Sequence, residues 1–508
     1  MRIRLRLVVP TLAVCCCLPT AHGDEPPPPL REMIGRISPD SLRGHVSFLA
    51  SDALEGRGTP SKGLDVAAEY IASQFRRAGL EPLGDDGFFQ TADWEYFSPD
   101  SAYVEIKVGD RTLKFDATSL SGQPTKAVDL SAAPVIKVDA NNAAALAALT
   151  AEAVAGKVVM TEVPTPFRVP REKAAAANQA RMSFLRRLDE LKPALVLDVD
   201  RDSGTARGLR RDAPQGARPS RPMIGPMVVA VHSPELAEIL AATPVGPTDA
   251  KATIAIGEPK ARKAKVRNVV GLLRGSDPAL KETYVMVSAH YDHLGIGPKD
   301  GQADGIYNGA NDDASGTASV IEIASALATM QPKPKRSVVF ATFYGEEHGL
   351  IGSTYYAAHP VVPLASTAAA VNLEQLGRTD DTEGPRVDAA NVTGFDFSTV
   401  TDALRKAGES VGVALQKHPQ NSDLYFNASD NAALARAGVP AHTVSVAYAF
   451  PDYHGRDDEW DRIDYVNMSK IDRMVALGVV VLANDENPPK WDAANPKTEP
   501  YRKAREGK

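Results

Sequence analysis

Between positions 290 and 316 the stretch "HYDHLGIGPKDGQADGIYNGANDDASG" sets two histidines and a run of acidic and amide side chains among glycines. Such a mixture is poor material for an apolar core and good material for holding a cation. Related clusters follow: Glu346 and Glu347 in "YGEEHGLIGS", Glu374 in "NLEQLGR", and His454 in "DYHGRDDEWD". Imidazole combined with carboxylate is zinc chemistry, whereas an all-oxygen set suits calcium or magnesium. Two ions about 3.5–4 Å apart need one bridging carboxylate, a histidine and a carboxylate each, and an open place for water. The inventory fills those places, with Asp312 as the bridge, His290 and Glu374 on one ion, and His454 and Glu347 on the other. Asp292, two residues after His290, is placed to accept the second ring N–H of that histidine and fix its tautomer. Glu346 is then left beside the pair, where a general base belongs.

The elements that must position these residues are legible in the flanking sequence. Apolar runs deliver them: "YVMVSA" leads to His290, "SVVFATFY" to the Glu346–Glu347 pair, "AAAVNL" to Glu374 and "HTVSVAY" to the loop with His454, while Asp312 precedes a helix predicted over 314–330. This strand and helix alternation predicts an α/β fold with a mixed, centrally parallel sheet flanked by helices. In such sheets ligands gather at the carboxyl ends of the strands. Upstream, "GLDVAAEYIASQFRRAGL" carries a helical stripe of Leu64, Ala67, Ala68, Ile71, Phe75 and Ala78, ended by Gly79. From 128 to 256 short β runs such as "KVVMTEV" and "ALVLDV" alternate with Ala-rich helices, which predicts a smaller inserted α/β domain. Its basic segment 201–222 reads as a solvated loop. The expected organisation is a leader over 1–23, a Pro-rich spacer over 24–37, a discontinuous main domain over 38–127 and 257–484, and a loose tail over 485–508.

The chain has 508 residues, more than one ordinary core, and its 43% hydrophobic and 24% charged residues are those of a water-soluble globular protein. Arg2, Arg4 and Arg6 precede an apolar run that ends near Ala21 and Gly23, the pattern of an export signal, which predicts a periplasmic or extracellular protein. Cys15, Cys16 and Cys17 all lie inside that leader, and bulky Val14 argues against lipid attachment there. Removing the leader takes the net charge from −7 to −10, which speaks against nucleic acid as a partner. No later apolar run reaches the roughly 18 residues that stable membrane insertion requires.

The series "HYDHLG", "NGANDDASG", "YGEEHGLIGS", "NLEQLGR" and "DYHGRDDEWDRIDY" is joined by "LASDALEGRGTPSKG" upstream and "SDNAALARAGVPA" between. Together they resemble the secreted di-zinc aminopeptidases of peptidase family M28, related to glutamate carboxypeptidase II and the transferrin receptor. The resemblance covers roughly 38–484, with the insertion where that family carries a protease-associated domain. It implies two zinc ions, His290, Asp312, Glu347, Glu374 and His454 as ligands, Glu346 as base, and peptides as substrates. It also points to Tyr453, beside His454, as a donor to the oxyanion. Two departures stand out: "NLE" replaces the common "NLD", giving a longer ligand in Glu374, and "ANDD" replaces "ADDN" around an unchanged Asp312.

Other readings compete. A carboxypeptidase or a glutaminyl cyclase uses a similar site, and a receptor-like relative keeps the architecture without activity, although no ligand is missing here. "GESVG" fits a serine nucleophile motif at Ser410, with Asp452 and His454 in the right order, but a helix precedes it where a strand is required, and Gly408 reads as a helix C-cap. His293, His348 and His359 read as surface or supporting residues. Asp430 in "ASDN" is a candidate for orienting substrate or a loop, and Arg378 reads as a structural ion pair.

Overall fold

The computed structural model describes residues 26–164, 171–201, 208–214, 225–297 and 305–507. The leader and most of the basic segment 201–222 lie outside them. Among the described residues the larger sheet has ten strands. Its spatial order is Arg211–Pro214, Phe89–Ser98, Lys260–Leu273, Ser337–Phe343, Tyr284–His290, Thr367–Leu373, Ala441–Ser445, Ala389–Val392 and Ala414–Gln416, with Glu81–Pro82 pairing on Lys260–Leu273. The four strands from Ser337–Phe343 to Ala441–Ser445 run parallel, and antiparallel strands flank them on both sides. The expected mixed, centrally parallel sheet is therefore present.

Every residue of Tyr284–His290, Ser337–Phe343 and Thr367–Leu373 is buried, because helices cover both faces. The strand period of two sorts side chains between two cores. Val285, Val287, Ala289 and Phe340 pack with Ile71 and Phe75 of helix Lys62–Ala78, whereas Met286, Val339 and Phe343 pack with Tyr356, Leu434 and Trp491. Burial of each such side chain contributes about 1.5–3 kcal/mol. The Lys62–Ala78 helix starts where Ser61 Oγ accepts the N–H of Leu64 at 3.0 Å and stops at Gly79, whose φ of 78° a side chain would resist. Leu64, Ala67, Ala68, Ile71 and Phe75 of its predicted stripe are buried and Ala78 is partly so.

Among the described residues a second sheet of nine strands is built between 102 and 256, with Val128–Lys137, Val158–Thr161, Leu195–Asp200 and Val228–His232 parallel at its centre. Ala102–Val108 and Arg111–Asp116 belong to it, so this sheet begins upstream of position 128. Leu236 and Leu240 of helix Pro234–Ala242 pack in one of its cores, and Phe184 and Leu188 of helix Arg171–Leu191 in the other. The two sheets share a short stretch of chain: Gly208–Leu209 pairs in the second sheet, and Arg211–Pro214 then joins the edge of the first beside Phe89–Ser98.

Two segments are more ordered than composition suggests. Helix Pro28–Gly35 lies within the Pro-rich spacer and buries Met33 and Ile34. After Asn484 the chain docks through Trp491, which is buried and stacks on Tyr501, and it ends in helix Glu499–Glu506. Arg505 donates to the carbonyls of Leu364 and Thr367. Aromatic anchors therefore hold a tail whose prolines and lysines read as loose.

Candidate metal centre

The carboxyl ends of the central strands converge as expected. His290 closes strand Tyr284–His290 and is buried, with Nε2 3.3 Å from Asp312 Oδ1. The other oxygen of the same carboxylate, Asp312 Oδ2, lies 3.1 Å from His454 Nε2. His454 is in turn 3.3 Å from Glu347 Oε1, while His290, Asp312 and Glu374 present ligand atoms within 4.8 Å of one another. All five residues selected from the sequence thus meet, with Asp312 between the two halves. His454 holds a φ of 54°, a conformation that costs a non-glycine residue about 1–3 kcal/mol and is tolerated where surrounding structure enforces it.

The charge balance of this nest suits cations. Burial raises the Glu374 carboxyl to about 7 despite nearby His290, and burial together with the charges of Glu374, Glu347 and Asp430 pushes Glu346 well above its ordinary range. Burial opposes protonation of His454, but the Asp312 and Glu347 carboxylates outweigh it and hold that ring up to about 10. Several atoms aimed at the nest are buried without any hydrogen bond: His290 Nε2, Glu347 Oε1 and Glu374 Oε2. Orphaned groups of this kind cost about 1–3 kcal/mol each unless something else satisfies them. Imidazole and carboxylate donors left open toward shared points fit divalent ions of borderline softness.

Asp292 supports the site differently from the expected arrangement. His290 Nδ1 lies 3.1 Å from the main-chain carbonyl of Asp292, whereas the carboxylate Oδ1 is 3.6 Å away. The turn after the strand brings the nearer acceptor, and the carboxylate is engaged elsewhere. It accepts Thr59 Oγ1–H at 3.0 Å and the backbone N–H of Glu346 at 3.1 Å, so Asp292 holds the segment that carries Glu346. Glu346, Asp312, Glu374, His454 and Tyr453 all line one cavity of about 280 Å³. Tyr453 stacks on His454 at 4.0 Å and is 48% exposed at its mouth.

Among the remaining candidates, His359 is exposed and His348 meets Trp94 edge-on, in line with surface and supporting places. His293 is not a surface residue: it is 1% exposed, with Nδ1 2.9 Å from Glu347 Oε1. Arg378 is a structural ion pair, bound to Asp380 at 2.6 and 2.8 Å and to Asp452 at 2.8 Å, which ties down the loop that presents His454. Asp430 is buried, and burial raises it to about 6 although the nearby charge of His290 opposes the shift. Ser410 lies inside helix Val400–Val411 and donates to its own Ala407 carbonyl at 2.7 Å, so it is no nucleophile. The C-cap of that helix is Gly412, φ 73°, and not Gly408, where a Cβ would meet the Val413 carbonyl at 2.5 Å.

Two supports escaped the sequence reading. Asp458 is buried and accepts the N–H groups of Asn311 and Asp312 at 2.9 and 3.0 Å, with burial raising it to about 7. Arg57 is buried and donates to the carbonyls of Tyr291, Asn308, Gly309 and Leu49, fastening both ligand loops to the "LEGR" turn. The only sequence signal for either is a charged residue inside a glycine-rich or acidic run.

Fold and site together define an α/β protein with two adjoining imidazole–carboxylate nests at its strand ends. Residues 268–479 match peptidase family M28, and the chain carries a domain of that family. It is 33% identical over 153 residues to a probable zinc metalloprotease of Pyrenophora teres f. teres, covering 28% of this chain and 31% of that relative. It is 28% identical over 236 residues to the probable glutamate carboxypeptidase LAMP1 of Arabidopsis thaliana, covering 43% and 31%. These matches span about a third of the relatives' own length. Among solved structures, the aminopeptidase from Aneurinibacillus sp. strain AM-1 superposes with a TM-score of 0.59 at 19% identity, over 90% of this chain and 96% of that one. BSAP, a zinc aminopeptidase from Bacillus subtilis, gives 0.60 at 20%, over 89% and 96%. At such identities the likeness establishes the fold.

Proposed function

We propose that this chain is an exported, zinc-dependent exopeptidase, an aminopeptidase that releases the N-terminal residue of peptides. The observation that carries the reading is the single Asp312 carboxylate lying within 3.3 Å of His290 and 3.1 Å of His454, in the cavity that also holds Glu346. Two zinc ions held by His290, Glu374, Asp312, Glu347 and His454 would supply Lewis acidity, making a water nucleophilic and polarising the scissile carbonyl. Glu346 takes the proton of that water and returns it to the leaving amine. Tyr453 offers its phenolic O–H to the developing oxyanion. Glu346 and Glu374 give the peptide's free ammonium an acidic partner.

The same cavity is lined by Tyr425, Tyr448, Phe450, Ala428 and Ala449, which suits an apolar or aromatic first side chain. Among the described residues no helix is long and apolar enough to cross a membrane. The test is metal analysis of the purified chain followed by a screen of aminoacyl arylamides with free and blocked N-termini. Two zinc equivalents, loss of turnover on chelation and preference for the free terminus are expected. Turnover that persists without metal, or equal cleavage of blocked substrates, would overturn the proposal.

A further inference from the structure

We infer that His293 is a third imidazole ligand, bound through Nδ1 on the Glu347–His454 side of the ion pair. The inference rests on the two-zinc reading above. The ring is buried, and both of its nitrogens lack a hydrogen-bond partner, as does Glu347 Oε1, which stands 2.9 Å from Nδ1. That oxygen is also 3.3 Å from His454 Nε2, and the two rings meet edge-on with centroids 5.6 Å apart. His293, Asp312 and Glu347 offer ligand atoms within 4.8 Å of one another. Two polar atoms 2.9 Å apart, both buried and without hydrogen-bond geometry, are costly unless they converge on a cation.

The ring has no easy alternative place. The backbone N–H of His293 donates to the Arg57 carbonyl at 3.3 Å, and Arg57 is itself fastened to both ligand loops. The opposite face of the ring lies over Gly309, where a Cβ would stand 2.4 Å from the ring carbon Cγ. Glycine at 309 therefore makes room for an imidazole pressed toward Glu347.

The consequence is an asymmetric pair. One side has four protein donors, from His293, His454, Glu347 and Asp312; the other has three, from His290, Glu374 and Asp312. A closed set is the mark of a structural zinc and an open set that of a catalytic one. Glu374 and the shared Asp312 of the three-donor side line the cavity with Glu346, which His454 also reaches, whereas His293 and Glu347 line a separate cavity of about 250 Å³.

The test is zinc X-ray absorption on the full chain loaded with two zinc equivalents, with zinc titration of the metal-free protein alongside. Three imidazoles over two ions give about 1.5 per zinc, and two give about 1.0. The wild type is expected near the first value. His293→Ala should drop it to the second and weaken one equivalent by more than about 100-fold, leaving the other unchanged. His293→Asn, which keeps a donor beside Glu347 but no imidazole, should behave like His293→Ala in the scattering. A wild type holding two zincs at about 1.0 imidazole each overturns this assignment and leaves the two-zinc reading intact. A wild type that takes up no zinc removes both.

Discussion

The proton affinity of Glu346 is set by its surroundings. Burial and three neighbouring carboxylates lift its affinity for a proton, and a bound pair of divalent cations would pull it back toward the working range. Glu346→Gln keeps the shape and removes the basic oxygen. Steady-state assays should show kcat lower by about 10²–10⁴-fold, with zinc content by atomic absorption unchanged; turnover close to wild type would take Glu346 out of the mechanism. His442 is a buried histidine of the opposite kind. Its Nδ1 pairs with the Thr393 carbonyl at 2.8 Å and its Nε2 with Ser398 at 2.6 Å, and burial depresses it to about 4. The unfolded ring titrates near 6.5, so between those values the unfolded chain binds the extra proton. Stability should fall as pH drops from about 6.5 to 4, by about 3 kcal/mol from this group. Denaturant titrations of His442→Gln over that window should show a shallower dependence on pH than those of wild type.

Strand ends deliver the clustered side chains, but the loops that follow decide their aim. Asp458 receives two consecutive backbone N–H groups at the turn holding Asp312, and so sets the direction of the shared carboxylate. Asp458→Asn leaves only one acceptor oxygen for those two donors. Competition with a chromophoric chelator should show zinc binding weakened by about 10–100-fold, and an unchanged affinity would show that the turn holds itself. The clustering of these residues was legible because histidines and carboxylates after apolar runs have few other uses, and because His290, Glu347 and Glu374 each come at or after the end of their own strand while Asp312 stands just before a helix. Asp458 and Arg57 were not, since they serve main-chain atoms, and any loop can present a carbonyl or an N–H. His293 was hidden for a related reason: a histidine three residues after a ligand looks the same in sequence whether its ring turns inward or outward. Likewise Ala102–Val108 alternates in the same way whichever sheet it joins, which is why the second sheet began earlier than its composition suggested.

At the scale of the whole molecule, the sheet with helices on both faces was readable from periodicity, while the contact between its two bodies was not. That contact runs through a few residues. Arg210, between the two pairing segments, donates to the Thr59 carbonyl at 2.8 Å and lies over the rings of Trp94 and Tyr96. Thr59 in turn donates to Asp292, which accepts the N–H of Glu346, so the seam between the sheets sits two hydrogen bonds from Glu346.

A strand that leaves one ladder and enters the next within three residues acts as a stitch. Pulling the smaller body away means unzipping the edge of the larger one, so heat should release both together. Scanning calorimetry should record one endotherm with equal calorimetric and van't Hoff enthalpies, and two resolved peaks would mean that the stitch gives way first. Such fastening has a further effect: a protease that nicks the smaller body reaches it only when the larger body is also opening, so the smaller body borrows its resistance to cleavage from the larger one.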